Sequence, residues 1–244
     1  MSSFRDDIAA QFRPSLDELY AAFADTPKPR MRSSNPRGYN ADWIGAQPLR
    51  ELAPSFVDEF VFELGLSVGE SNDVRYFLPR LWDLVMRGEL HALGPAPAEA
   101  LTQKMLSAGW SSWSERQRQA VRDFLIAFFA SALATRDERL SVLVTAYSLL
   151  SGNITPLLAL IRARDDVNAA FALFWLAEAA GTAIVNNQDA RDDTELTAWL
   201  RDPATHQQLE RLKTRAEAGS ENLAWLFEQS AHWLQICASD SATP

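Results

Sequence analysis

Apolar residues recur in this chain at three- and four-residue steps almost from end to end, and nowhere do they alternate with polar ones over the length of a strand. That period gathers apolar side chains on one face of an α-helix, so the chain is constrained to build its core from helices. Helices are expected near 15–25, 49–64, 72–88, 97–107, 114–134, 138–150, 154–163, 166–186, 193–201, 204–218 and 220–236. Ten glycines in 244 residues are too few for the closely spaced turns of a β-sandwich or barrel. Short connections make neighbouring helices antiparallel. The expected fold is a single all-α domain over 1–244, an irregular array of antiparallel helical hairpins.

Between 120 and 185 the helices turn apolar on most faces, as in Phe124-Leu125-Ile126-Ala127-Phe128-Phe129 and Phe171-Ala172-Leu173-Phe174-Trp175-Leu176, and must be covered on several sides. The stretch 154–180 has the pattern of a HEAT-type hairpin, with Leu157, Leu158 and Ile161 before a turn at Asp165-Asp166 and Val167, Ala170 and Phe171 after it. No fixed period joins it to its neighbours, which favours an irregular array over a solenoid. The exception to the helical pattern is 26–48, where Pro27, Pro29, Pro36 and Pro48 accompany Lys28, Arg30, Arg32 and Arg37. It reads as an extended basic strap laid over the helices and anchored by Tyr39, Trp43 and Ile44.

A net charge of −9 opposes binding to nucleic acid and speeds encounter with a basic protein. The lone Cys237 has no partner for an intramolecular disulfide, and Asp6 and Asp7 interrupt what would be the apolar core of a secretion signal. A cytoplasmic location is therefore expected. The run 168–188 approaches membrane-spanning length but carries Glu178 near its centre, so it reads as a buried helix of a soluble protein and no membrane partner is expected.

Motifs for catalysis are weak. Gly65-Leu66-Ser67-Val68-Gly69 matches the G-x-S-x-G nucleophile elbow, but that elbow joins a buried strand to a helix, whereas 56–64 reads as an amphipathic helix. No H-E-x-x-H and no second cysteine occur, and Asp189, Asp192, Asp193 and Glu195 lack the spacing of a calcium loop, so neither metal nor cofactor is expected. Glu178, alone in an apolar helix, is the candidate buried carboxylate.

The densest segment is Asn72-Asp73-Val74-Arg75-Tyr76-Phe77-Leu78-Pro79-Arg80-Leu81-Trp82-Asp83. Val74, Phe77, Leu78, Leu81 and Val85 fall on one helical side and form core, while Asp83 and Arg87 are spaced for an i,i+4 ion pair. Pro79 is expected to kink the helix or to start a second one, splaying Tyr76 and Arg80 away from a straight path. Together with Pro48-Leu49-Arg50-Glu51-Leu52 and Phe60, this segment resembles a family of uncharacterised bacterial proteins whose signature is a P-L-x-E-L helix, then an acidic residue and an F-L-P-R helix. The likeness covers about 40–90 and implies a bacterial cytoplasmic helical protein, with no activity attached. Some members carry closely spaced cysteines ahead of P-L-x-E-L, where this chain has Ser33, Ser34 and Asn35, so a metal or redox role is not expected.

The functional expectation is a non-enzymatic module that binds another, basic, protein in the manner of an immunity or antitoxin protein. Asp192, Asp193 and Glu195 are candidates for an acidic contact face, Arg30, Arg32 and Arg37 for a basic one, and Tyr76, Arg80 and Trp82 for a groove. The competing expectation is an enzyme with a helical pocket around Glu178, Tyr76 and Arg80.

Overall fold

Prolines punctuate the apolar pattern and set where several helices begin. Pro54 opens one helix, Pro97 another and Pro203 a third, at first-turn positions where the missing N–H would have had no partner. The computed structural model describes residues 2–29, 47–185, 194–218 and 223–239. Among them run eleven α-helices: α1 (Ser2–Ala22), α2 (Pro54–Val61), α3 (Ser71–Arg87), α4 (Pro97–Ser107), α5 (Glu115–Thr135), α6 (Leu140–Ser151), α7 (Thr155–Arg162), α8 (Val167–Val185), α9 (Thr194–Arg201), α10 (Pro203–Ala218) and α11 (Ala224–Ser239). The fold is all-α, and the described residues contain no strand beyond one isolated bridge between Leu64 and Val68.

Three expected boundaries change. The helix expected over 49–64 is a short 3-10 turn, Leu49–Glu51, followed by α2, because Pro54 cannot donate the backbone bond that would continue the turn. The helix expected from about residue 15 begins much earlier, since α1 runs from Ser2 through Pro14. Pro79 neither ends nor restarts a helix, since α3 is continuous from Ser71 to Arg87 with Pro79 buried within it.

Packing divides the chain into two compact units, 1–128 and 129–244, with the division inside α5. In the first, α3 is the central element: Phe77, Leu78, Leu81, Trp82 and Leu84 are fully enclosed. Phe77 meets Phe60 of α2 with ring centroids 5.0 Å apart, and Trp82 meets Phe124 of α5 at 6.0 Å. Phe124 continues the aromatic chain to Phe128, and Phe128 to Phe12 of α1. Trp110 and Trp113 pack edge-on at 5.3 Å, with Phe23 against Trp113, so both indoles belong to the core.

In the second unit α8 lies against α11. Ala169, Ala172, Ala177 and Ala180 bring the α8 backbone close to its neighbours. Gly181 makes the tightest approach: a Cβ there would stand 2.5 Å from Cε3 of Trp233 on α11, closer than any side chain tolerates. Leu226, Leu234 and Cys237 are buried on α11, with the Cys237 thiol 3.9 Å from the Ala177 carbonyl. Among the described residues no helix is long and apolar enough to cross a membrane.

Candidate functional site

The connection between α2 and α3 carries the most unusual surface of the first unit. Apolar residues in this loop divide sharply: Leu64 and Val68 are fully buried, whereas Phe62 is 63% exposed and Leu66 74% exposed. A tight turn enforces the division, with the Gly65 N–H donating to the Val68 carbonyl at 2.9 Å. Gly65 and Gly69 both adopt left-handed backbone, φ +78° and +73°. A Cβ would come within 2.9 Å of Val74 at the first and 2.6 Å of the Asp73 carboxylate at the second. Both glycines are thus demanded by the turn and by its seat on the start of α3. Asp73 in turn accepts the Glu70 N–H at 2.8 Å and closes the first turn of α3. Between the glycines, the Ser67 hydroxyl donates to the carboxylate of Glu63, four residues back. The G-x-S-x-G match is therefore a helix-to-helix turn, with no strand before it and no helix directly after the serine.

Phe62 and Leu66 border a recess of about 320 Å³ whose wall includes Leu64, Val74, Leu93 and Ala100. Lys104 of α4 fixes its geometry by donating to the carbonyls of Phe62, at 2.7 Å, and Leu64, at 2.9 Å. Partial burial pushes the Lys104 ammonium below its ordinary pKa, as expected for a cation whose hydration is partly replaced by carbonyls. Asp58 of α2 accepts the backbone N–H groups of His91 and Ala92, each at 3.0 Å, just ahead of the lining residue Leu93. The recess is a preformed apolar hollow with its two largest apolar side chains turned out to solvent.

The residues expected to line a groove lie elsewhere. Arg80 is no surface arginine: its Nε and Nη2 donate to the Leu52 carbonyl at 3.0 and 2.6 Å, and its Nη1 to Asp83 at 2.6 Å. The P-L-x-E-L turn and the F-L-P-R helix are joined through this one side chain. Asp83 also receives Arg87 Nε at 2.6 Å, which is the i,i+4 pair expected from spacing. Trp82 is fully buried and packs against Phe124. Tyr76 is half-buried and packs edge-on against Phe77 at 5.1 Å.

Glu195 is likewise committed internally. Its carboxylate accepts the Ile154 N–H at 2.7 Å and the Thr155 hydroxyl at 2.5 Å, at the N-terminus of α7, where a negative charge is favoured by the helix dipole. It is a capping residue and not a free acid of a contact face. Glu195→Ala should therefore lower stability by about 0.5–2 kcal/mol, measured by denaturant unfolding, as loss of a helix cap does. Unchanged stability would show that the cap contributes nothing. Asp192, Asp193, Arg30, Arg32 and Arg37 lie outside the described residues, as do Tyr39, Trp43 and Ile44.

Glu178 is only partly buried on α8, in the second unit, whereas Tyr76 and Arg80 belong to the first. Its helix is apolar in sequence, yet at this position the side chain retains access to solvent, so the expected buried carboxylate is not present. Among the described residues no group of three or more His, Cys, Asp or Glu side chains is placed to hold a metal ion. No protein-family model, characterised protein or solved structure matches the chain.

Reading the helix on to residue 64 hid Phe62, because exposed apolar residues on a helix are ordinary. The signal that finds Phe62 and Leu66 is local. Phe62 falls off the face formed by Val57, Phe60, Val61 and Leu64, and Leu66 stands between a turn glycine and a serine, where folding demands no large apolar side chain.

Proposed function

We propose that this chain is a helical protein-binding module that seats an apolar side chain of a partner protein in the recess between Phe62 and Leu66. The observation that carries this reading is the exposure of those two side chains, 63% and 74%, at the mouth of a preformed apolar hollow. Neither adds to the core of the free chain, while large apolar anchors seated in pockets dominate interface energies. The net charge of −9 favours a partner whose anchor is flanked by basic residues, through faster encounter. A bacterial cytoplasmic setting, in the manner of an immunity or antitoxin protein covering a basic target, fits this charge.

The test is the double substitution Phe62→Ser with Leu66→Ser, applied to the chain and to a partner isolated with it from its native host. Unfolding free energy should move by no more than about 0.5 kcal/mol, because both positions are on the surface. Association should weaken by at least about 30-fold, the scale of one lost hot-spot anchor of about 2 kcal/mol. Undiminished affinity in a stably folded double variant would rule the recess out.

A further inference from the structure

We infer that a second recess of the first unit, between α1, the 3-10 turn and α3, binds a phosphate group. The recess has a volume of about 340 Å³ and brings together Tyr20 of α1, Arg50 of the turn, and Arg80, Asp83 and Arg87 of α3. One carboxylate, Asp83, holds two guanidinium groups at once, each at 2.6 Å, so this node retains a positive charge. Arg87 spends only its Nε on that bond, and among the described residues its two terminal nitrogens remain for another acceptor. Arg50 lies over the Tyr20 ring with its guanidinium carbon 4.0 Å from the centroid, and uses Nη1 on the half-exposed Asp17 at 2.7 Å.

The Tyr20 hydroxyl completes the site. It is buried beside Arg80, whose guanidinium can only donate to the phenol oxygen, and among the described residues no acceptor stands within hydrogen-bonding geometry of its proton. Burial, reinforced by the Asp83 charge, holds the phenol protonated well above its ordinary range, so at neutral pH the group is a donor. A buried donor left unpaired is costly, and an oxyanion in the recess would satisfy it. The donors approach from three separate elements, which suits a tetrahedral phosphate better than a planar carboxylate, and guanidinium groups bind phosphate with charge-assisted bonds. Exposed Glu89, also on the wall, is the opposing charge and gives the proposal a second handle.

The test is calorimetric titration of the full chain at low salt with inorganic phosphate, then with glycerol 3-phosphate and with acetate. Phosphate should bind saturably at one site. Tyr20→Phe keeps the ring under Arg50 and should weaken binding about two- to tenfold, the range for one hydrogen bond. Glu89→Gln should tighten it about two- to fivefold, as removal of an exposed like charge does. Tighter binding of glycerol 3-phosphate than of inorganic phosphate would assign the site to a phosphate ester, and equal binding would assign it to the free ion. Melting curves without ligand establish that both variants are folded. Absence of saturable binding, affinity unmoved by both substitutions, or acetate binding as well as phosphate would each overturn the assignment.

Discussion

Arg80→Ala should destabilise the protein by about 3–5 kcal/mol, the cost of breaking a buried ion pair from one side. The side chain is 11% exposed and Asp83 is 5% exposed, so neither group can recover its lost bonds from water. Three donors vanish together: two from the carbonyl of Leu52, itself 1% exposed, and one from Asp83. Arg87 still reaches Asp83, and this limits the loss. Lysine at position 80 would keep the charge but lacks the planar fork that spans a carbonyl and a carboxylate together. Urea unfolding of Arg80→Ala, Asp83→Ala and the double variant gives a direct check. The effects should be non-additive by at least about 0.5 kcal/mol, since the groups share one network. Additive losses, or a loss near zero for Arg80→Ala, would mean that the junction between the turn and α3 is held by packing alone.

Phe77→Ala should cost a similar amount, about 3–5 kcal/mol, by a different mechanism, the opening of a cavity in the core. Phe77 has no solvent exposure and touches aromatic rings on two sides, Phe60 at 5.0 Å and Tyr76 at 5.1 Å. Arg87→Ala is the natural comparison on the same helix. Its side chain is 46% exposed, and Asp83 keeps Arg80 when Arg87 is removed, so the loss should stay within about 1 kcal/mol. Comparable losses at 77 and 87 would contradict the assignment of α3 as the central helix.

These two residues also mark how far the fold was legible in advance. Periodicity placed Val74, Phe77, Leu78, Leu81 and Val85 on one buried side of α3, and all five are in the core. The same rule treats a helix as two-faced, with charge outside. α3 is enclosed around most of its circumference, so Arg80, Trp82 and Asp83, which lie off that side, are buried as well. An enclosed helix can keep an arginine only by pairing it, and the partners, Leu52 and Asp83, are a backbone carbonyl 28 residues away and a carboxylate three residues on. The first of these has no signature in a local pattern. The capping contact of Glu195 is hidden for the same reason, since the helix N-terminus that it meets is 40 residues earlier in the chain.

The candidate site shows the complementary failure. The G-x-S-x-G match fails as a nucleophile elbow because 56–64 reads as a helix, and nothing in that match indicates the turn's own geometry. Its glycines serve a turn whose steric limits are set by Val74 and Asp73, and the turn's product is the outward display of Leu66. Turn geometry of this kind depends on what the loop rests against, which only the folded chain reveals.

Site-specific photo-crosslinking tests the binding-module reading most directly. A photoreactive side chain in place of Leu66 should capture the partner protein, and the adduct should disappear when Phe62 is changed to serine. The same group in place of Asp123, exposed on α5 of the same unit, should capture nothing. Efficient capture from position 123 with none from position 66 would contradict the account and move the contact surface away from the recess.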